Sequence, residues 1–173
     1  YNRILKTRNE YLKSIYINHL SDVRYLDVLT DKLIDRAVFI YRYRKDFLDR
    51  INQHIQPIYK DIAGYDGLEI RYETSVDWDC YEEEKIRTLL KEKFLQNRQR
   101  ELQQGNTLYG PHRDDFSFYL AGENIKIFSS QGLQRLVVIA LKLAEIPIFE
   151  ELTGHKPILL LDDIFSEIDR KKR

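Results

Sequence analysis

From Val23 to Ile62 the chain runs without a glycine, and Pro57 is the only proline in that span. Apolar residues recur at Leu26, Leu29, Leu33, Ala37 and Ile40, then at Phe47, Ile51, Ile55 and Ile58. Steps of three and four place these positions along one side of an α-helix. The pattern predicts about 35 residues of helix, against a globular mean of about 11–12. A helix that long projects, or lies along a neighbour as an antiparallel arm. Ahead of it, Ile4/Leu5, Tyr11/Leu12 and Ile15/Tyr16 keep helical spacing from Tyr1 to Leu20, and Ser21-Asp22 is a plausible N-cap for the long helix.

Gly64 and Gly67 close the arm. "LEIRYETSV" (68–76) alternates Leu68, Ile70 and Tyr72 with charged residues and reads as a half-exposed strand. "YEEEKIRTLLKEKFLQNRQREL" (81–102) reads as one helix, ended by Gly105-Asn106. "FSFYLAGENIKIF" (116–128) reads as two short strands around a turn at Ala121 to Asn124. Residues 132–152 read as a strongly apolar, largely buried helix. Pro157 to Leu161 is too continuously apolar for a one-sided strand and reads as a buried one. The fold class is α/β.

Composition narrows the function. The 173 residues are 43% hydrophobic and 32% charged, enough for a core and a solvated surface. No run approaches the 18 apolar residues of a membrane span. The single Cys80 excludes an internal disulfide, which fits a reducing cytoplasm. Four scattered His and one Cys make no metal-ligand set. A first residue of Tyr1 and the lack of any Met suggest an interior piece of a longer protein. Net charge is zero but uneven. Residues 1–60 carry 12 Lys/Arg against 7 Asp/Glu, a balance of +5. Such a segment suits phosphates, although charge runs are also the ordinary solvated faces of helices.

The segment "KPILLLDDIFSEIDRKKR" (156–173) runs an apolar stretch straight into two carboxylates, Asp162 and Asp163. At the C-terminal mouth of a buried strand, adjacent anions repel unless a cation is present. A magnesium-bound nucleotide supplies one, and an Asp pair capping the next helix is the alternative. Upstream, "SSQGLQR" (129–135) opens the apolar helix. Ser130 can cap it, and Gly132 lets a ligand approach the backbone, where helix N-terminal N–H groups attract anions.

These stretches carry a resemblance. "SSQGLQR" looks like the signature motif of ABC-type ATPases, and "ILLLDDIFSEID" like their Walker B and D-loop. With "TLYGPHRDDFSFYLAG" and "ILKTRNEYLKS", they resemble the RecF family of bacterial recombination mediators, most strongly from Leu108 to Asp169. The resemblance implies a helix-rich lever-arm domain over 1–105 and part of an ABC-type P-loop ATPase head over 106–173, with a mixed sheet, a buried signature helix and a Walker B strand. It implies ATP and Mg²⁺ as cofactors, and a homodimer closed head to head around nucleotide. It implies DNA (single-stranded, double-stranded or junctions) and RecR with RecO as partners, and RecA indirectly. The setting would be DNA replication, recombination, repair and the SOS response, in the bacterial cytoplasm at the nucleoid.

Carried over by motif, Asp162 is the Mg²⁺ aspartate, acting through water, and Asp163 the catalytic carboxylate. Ser130, Gln131 and Gly132 meet the ATP held by a partner subunit, and Asp169 is the D-loop acid. Leu133 departs from the family, where Gln is frequent. No G-x-x-x-x-G-K-[ST] phosphate loop is present, so this stretch by itself is expected neither to bind ATP tightly nor to hydrolyse it. DNA contact is expected from Arg3, Lys6, Arg8 and Lys13, and from Arg42, Arg44, Lys45 and Arg50. "YGPHRDD" (109–115) reads as a salt-bridged turn or as a nucleotide or DNA contact through Arg113. Other readings are an arm that recruits a partner protein, or another SMC/Rad50-like ATPase head, although those carry much longer arms.

Overall fold

The computed structural model describes residues 1–18, 23–76, 81–128 and 130–160. They form α1 (Asn2–Asn18), α2 (Arg24–Ala63), β1 (Leu68–Glu73), α3 (Glu83–Gln96), α4 (Arg98–Gln104), β2 (Asp115–Leu120), β3 (Glu123–Asn124), α5 (Ile125–Phe128) and α6 (Gln131–Thr153). The class is α/β: helices with one small sheet. The long helix is there, 40 residues of it. Ser21-Asp22, the expected cap, lies outside the described residues.

The chain divides into two compact units that interleave along the sequence. One joins Tyr1–Lys45 to Glu73–Asp115; the other joins Asp46–Tyr72 to the segment from Phe116 onward.

In the first unit, α1 buries Leu12 and Ile15 against Leu26, with Leu102 packed alongside. The N-terminal half of α2 meets α3 and α4 through a ladder of ion pairs. Asp27 pairs with Arg98 at 2.9 Å, Asp31 with Lys91 at 3.7 Å, Asp35 with Arg87, and Arg42 with Glu83 at 3.2 Å. Numbers rise on one helix as they fall on the other, so the two run antiparallel. Exposed pairs of this kind add about 0–1 kcal/mol each and set alignment more than stability.

The expected single helix over 81–102 is two. At Asn97 the side-chain amide donates to the Lys93 carbonyl at 2.9 Å, and the backbone N–H reaches the same oxygen at 3.1 Å. That backbone bond is the ordinary helical one, so the break is one of dihedrals: Asn97 has φ −105° and ψ 9°.

In the second unit, Ile51, Ile55, Tyr59 and Ala63 of α2 share a core with Leu68 and Ile70 of β1 and with Val137, Ala140, Ala144 and Ile148 of α6. The three strands lie in the order β1-β2-β3. β2 and β3 are antiparallel, with Tyr119 opposite Asn124 and Leu120 opposite Glu123. The second expected strand of 116–128 is thus two residues long and gives way to the helical turn α5. Ile125, on that turn, is buried in the core.

The expected buried strand at 157–161 is absent from its described part. Residues 157–160 have no strand structure, and Ile158 and Leu160 are 88% and 87% exposed. A strand buried on both faces needs neighbouring strands and covering helices. The described sheet consists of β1, β2 and β3, and none of them pairs with this segment. Among the described residues no helix is long and apolar enough to cross a membrane.

Candidate functional site

The N-terminus of α6 is built as the sequence suggests. Ser130 adopts an extended backbone, and its Oγ accepts the Leu133 N–H at 3.3 Å. Gln131 and Gly132 are exposed, and the first turn carries no acidic residue. Among the described residues, the positive end of this 23-residue helix is therefore exposed and meets no acidic first-turn side chain, the Leu133 N–H being capped by Ser130. A Cβ at Gly132 would meet only Ser130 Oγ, at 4.0 Å. Among the described residues, packing does not demand glycine there, and the backbone at this turn is bare. Leu133, the departure from the family pattern, packs against the core of the second unit. That position is spent on packing rather than on a polar contact.

These features fit contact with the phosphates of a nucleotide. Asp162, Asp163 and Asp169 lie outside the described residues. Among the described residues, no cluster of three or more His, Cys, Asp or Glu could hold a metal ion.

The basic candidates separate. Arg3 and Lys6 are exposed on α1, Lys6 within 4.0 Å of Glu10. Arg42 is half-exposed beside Glu83. Arg44 donates to the Pro111 carbonyl at 2.7 Å. Lys13 is exposed, and Arg50 pairs with Glu151 at 3.1 Å.

Arg8 is a correction: it is 2% exposed and offers nothing to a phosphate. Its guanidinium donates to Glu101 Oε2 at 2.6 Å, Thr107 Oγ1 at 2.7 Å and Thr30 Oγ1 at 2.9 Å, and lies over the Phe94 ring at 4.7 Å. Glu101 Oε1 accepts the Leu108 N–H at 2.8 Å, and Asn9 Oδ1 accepts both the N–H and the hydroxyl of Thr107. The network is closed and structural. Sequence reasoning missed Glu101 and Thr107. The usable signal was periodicity: position 8 falls on the face of α1 that carries Leu5, Leu12 and Ile15. A cavity of about 140 Å³ opens beside this network, lined in part by Ile34, Phe94 and Arg98. Ligand sites usually run to about 300–1,000 Å³, so a nucleotide does not fit there.

"YGPHRDD" is held from several sides. The Arg113 N–H donates to the Gly110 carbonyl at 2.8 Å, closing a turn with Pro111 at its second position. Arg113 Nη2 donates to the Thr107 carbonyl at 3.1 Å, and the Ser75 N–H donates to Asp114 Oδ1 at 2.7 Å. His112 Nε2 meets the same Thr107 carbonyl at 3.1 Å, and its Nδ1 meets the Tyr1 hydroxyl at 2.7 Å. A carbonyl only accepts, so Nε2 carries the proton and Tyr1 donates to Nδ1. Burial lowers the His112 pKa and raises that of Tyr1. Arg113 is thus engaged with its own loop.

No family model matches the chain. Curated relatives do. It is 41% identical over 170 residues to the DNA replication and repair protein RecF of Listeria innocua, covering 98% of this chain and 46% of the relative. It is 46% identical over 172 residues to RecF of Geobacillus kaustophilus, and 40% identical over 175 residues to RecF of Pediococcus pentosaceus. A solved structure of the recombination mediator protein RecF-ATP in the RecFOR pathway superposes with a TM-score of 0.89 at 34% identity, over 97% of this chain and 45% of that one. The chain belongs to the RecF family. It spans about half the length of the curated RecF relatives it matches. The RecF likeness takes in both packing units, since only about 3% of the chain falls outside the superposition. The structure described as RecF-ATPrS matches as well, with a TM-score of 0.88.

Proposed function

We propose that this chain supplies part of a RecF-type DNA replication and repair protein, working in the cytoplasm at the nucleoid. The open N-terminus of α6 carries the reading. In this proposal Ser130, Gln131 and Gly132 grip a nucleotide phosphate held by a second subunit, so that ATP joins two copies. Ser130 Oγ and the free first-turn N–H groups donate to phosphate oxygens, and the bare backbone at Gly132 allows the approach. ATP supplies the negative charge that makes this contact, and Mg²⁺ offsets that charge. By the family likeness Asp162 would hold the ion through water, Asp163 would orient the attacking water, and Asp169 would act across the dimer.

The basic N-terminal third of the chain meets DNA, and the assembly acts with RecO and RecR to place RecA on gapped DNA. Support comes from the likeness to RecF-ATP over nearly the whole chain.

The test uses the full-length protein. Ser130→Arg places a bulky side chain at the helix start while leaving the core of α6 untouched. Sedimentation with and without ATP should show dimers for the parent and monomers for the variant. ATP-driven dimers of unchanged affinity in Ser130→Arg would sink the reading.

A further inference from the structure

The surface of α2 within the first unit carries a stripe of exposed aromatic and basic residues. Tyr25, Val28, Lys32, Arg36, Phe39 and Tyr43 follow steps of three and four, and all are exposed. They span about 27 Å of helix at 1.5 Å per residue. Phe39 and Tyr43 are 49% and 59% exposed, with ring centroids 4.7 Å apart and tilted by 47°. The Arg42 guanidinium lies 5.5 Å from the Phe39 ring and 5.9 Å from the Tyr43 ring.

Charge decides what this face suits. Every carboxylate of α2 up to Lys45 is already engaged: Asp27 by Arg98, Asp31 by Lys91, Asp35 by Arg87. Lys32 and Arg36, one helical turn apart, have neither an ion pair nor a hydrogen bond among the described residues. Among the described residues the stripe therefore presents unpaired cations beside half-exposed aromatic rings, its neighbouring acids engaged from the flank. A single nucleic-acid strand satisfies both, with phosphates on the cations and unpaired bases on the rings.

We infer that the exposed face of α2 from Tyr25 to Tyr43 is a track for single-stranded nucleic acid, with Phe39 and Tyr43 as stacking platforms and Lys32 and Arg36 as phosphate contacts. The inference rests on the proposed DNA-binding role and names the strand type and the surface.

Full-length protein is titrated against a labelled oligo-dT, an abasic oligonucleotide of equal length, and a duplex, with anisotropy as readout. The parent should prefer oligo-dT to the abasic strand. Phe39→Ala combined with Tyr43→Ala should weaken oligo-dT binding by about tenfold or more, since stacking contributes roughly 1–3 kcal/mol per base. It should leave abasic and duplex binding unchanged. Lys32→Ala with Arg36→Ala should flatten the slope of log affinity against log salt by about 1.4, at roughly 0.7 per phosphate. Unchanged thermal unfolding of these surface variants separates lost contact from lost fold. If the parent binds no oligonucleotide, the DNA-binding role itself fails. If the parent binds, but ring variants match it and the abasic strand competes equally, the track alone is overturned.

Discussion

The side-chain amide of Asn52 pairs with both backbone groups of Ile70. Asn52 Nδ2 donates to the Ile70 carbonyl at 2.8 Å, and Asn52 Oδ1 accepts the Ile70 N–H at 2.8 Å. β2 occupies one side of β1 in the three-stranded sheet, so these groups belong to its other edge. One residue of a helix thus imitates a neighbouring strand at the position where an edge would recruit another chain. Asn52→Asp keeps the shape but loses the donor and turns a carboxylate toward a carbonyl. The expected loss is about 1–3 kcal/mol in urea unfolding, the cost of a partly buried polar group left unsatisfied. A variant as stable as the parent would show that water replaces the amide freely.

Arg8 and Glu101 form a buried pair whose members are 2% and 0% exposed. Removing one partner strands the other charge. Glu101→Leu should therefore cost about 3–5 kcal/mol, while Arg8→Met together with Glu101→Leu should recover a large share of that loss. A double-mutant cycle in urea reads the coupling directly. Additive losses would contradict the pairing. Arg8→Lys should also destabilise, because an ammonium cannot reach Glu101, Thr107 and Thr30 from one planar fork.

The parts of the fold legible in the sequence are those set by periodicity and local chemistry. The 40-residue α2 declared itself through unbroken apolar spacing, and Ser130 announced the start of α6 by the chemistry of a cap. What escaped depends on residues distant in sequence. Arg8 looked like a surface cation until α4 supplied Glu101, 93 positions away. The run 157–160 looked buried because apolar residues expect cover, yet the described strands do not provide it. The break at Asn97 is a change of backbone dihedrals at one residue, φ −105° and ψ 9°, which no hydrophobic pattern encodes.

His112 gives a pH dependence of definite sign. Burial is the largest influence on it and lowers its pKa from 6.5; Arg113 also lowers it, while the Thr107 hydrogen bond, Asp114 and Glu101 act the other way. Tyr1 faces its other nitrogen. The folded state therefore holds the ring neutral after the unfolded chain has begun to protonate. This stabilisation is present above pH 6.5 and is lost as pH falls from there through the lower folded-state value. Denaturant midpoints should drop more steeply with acid below pH 6.5 in the parent than in His112→Gln, which keeps a donor for the Thr107 carbonyl and cannot titrate. Parallel profiles would remove His112 from the account.

The turn joining β2 to β3 is strained at one residue. Ala121 has φ +51° and Gly122 φ +88°, so both central positions are left-handed, as a two-residue type I′ hairpin turn requires. Glycine adopts this freely, whereas alanine does so at a cost of about 1 kcal/mol. Asparagine tolerates the region better through local hydrogen bonding. Ala121→Asn should therefore stabilise the second unit by about 0.5–1 kcal/mol, and Ala121→Val should destabilise it by at least as much, because a β-branched side chain resists positive φ. Both keep the Ala121 N–H that donates to the Gly67 carbonyl at 3.0 Å, so that tie does not confound the comparison. Thermal unfolding of the two variants beside the parent should rank them Asn, Ala, Val. The reverse order would mean that contact with Gly67, rather than backbone handedness, selects the residue at this corner.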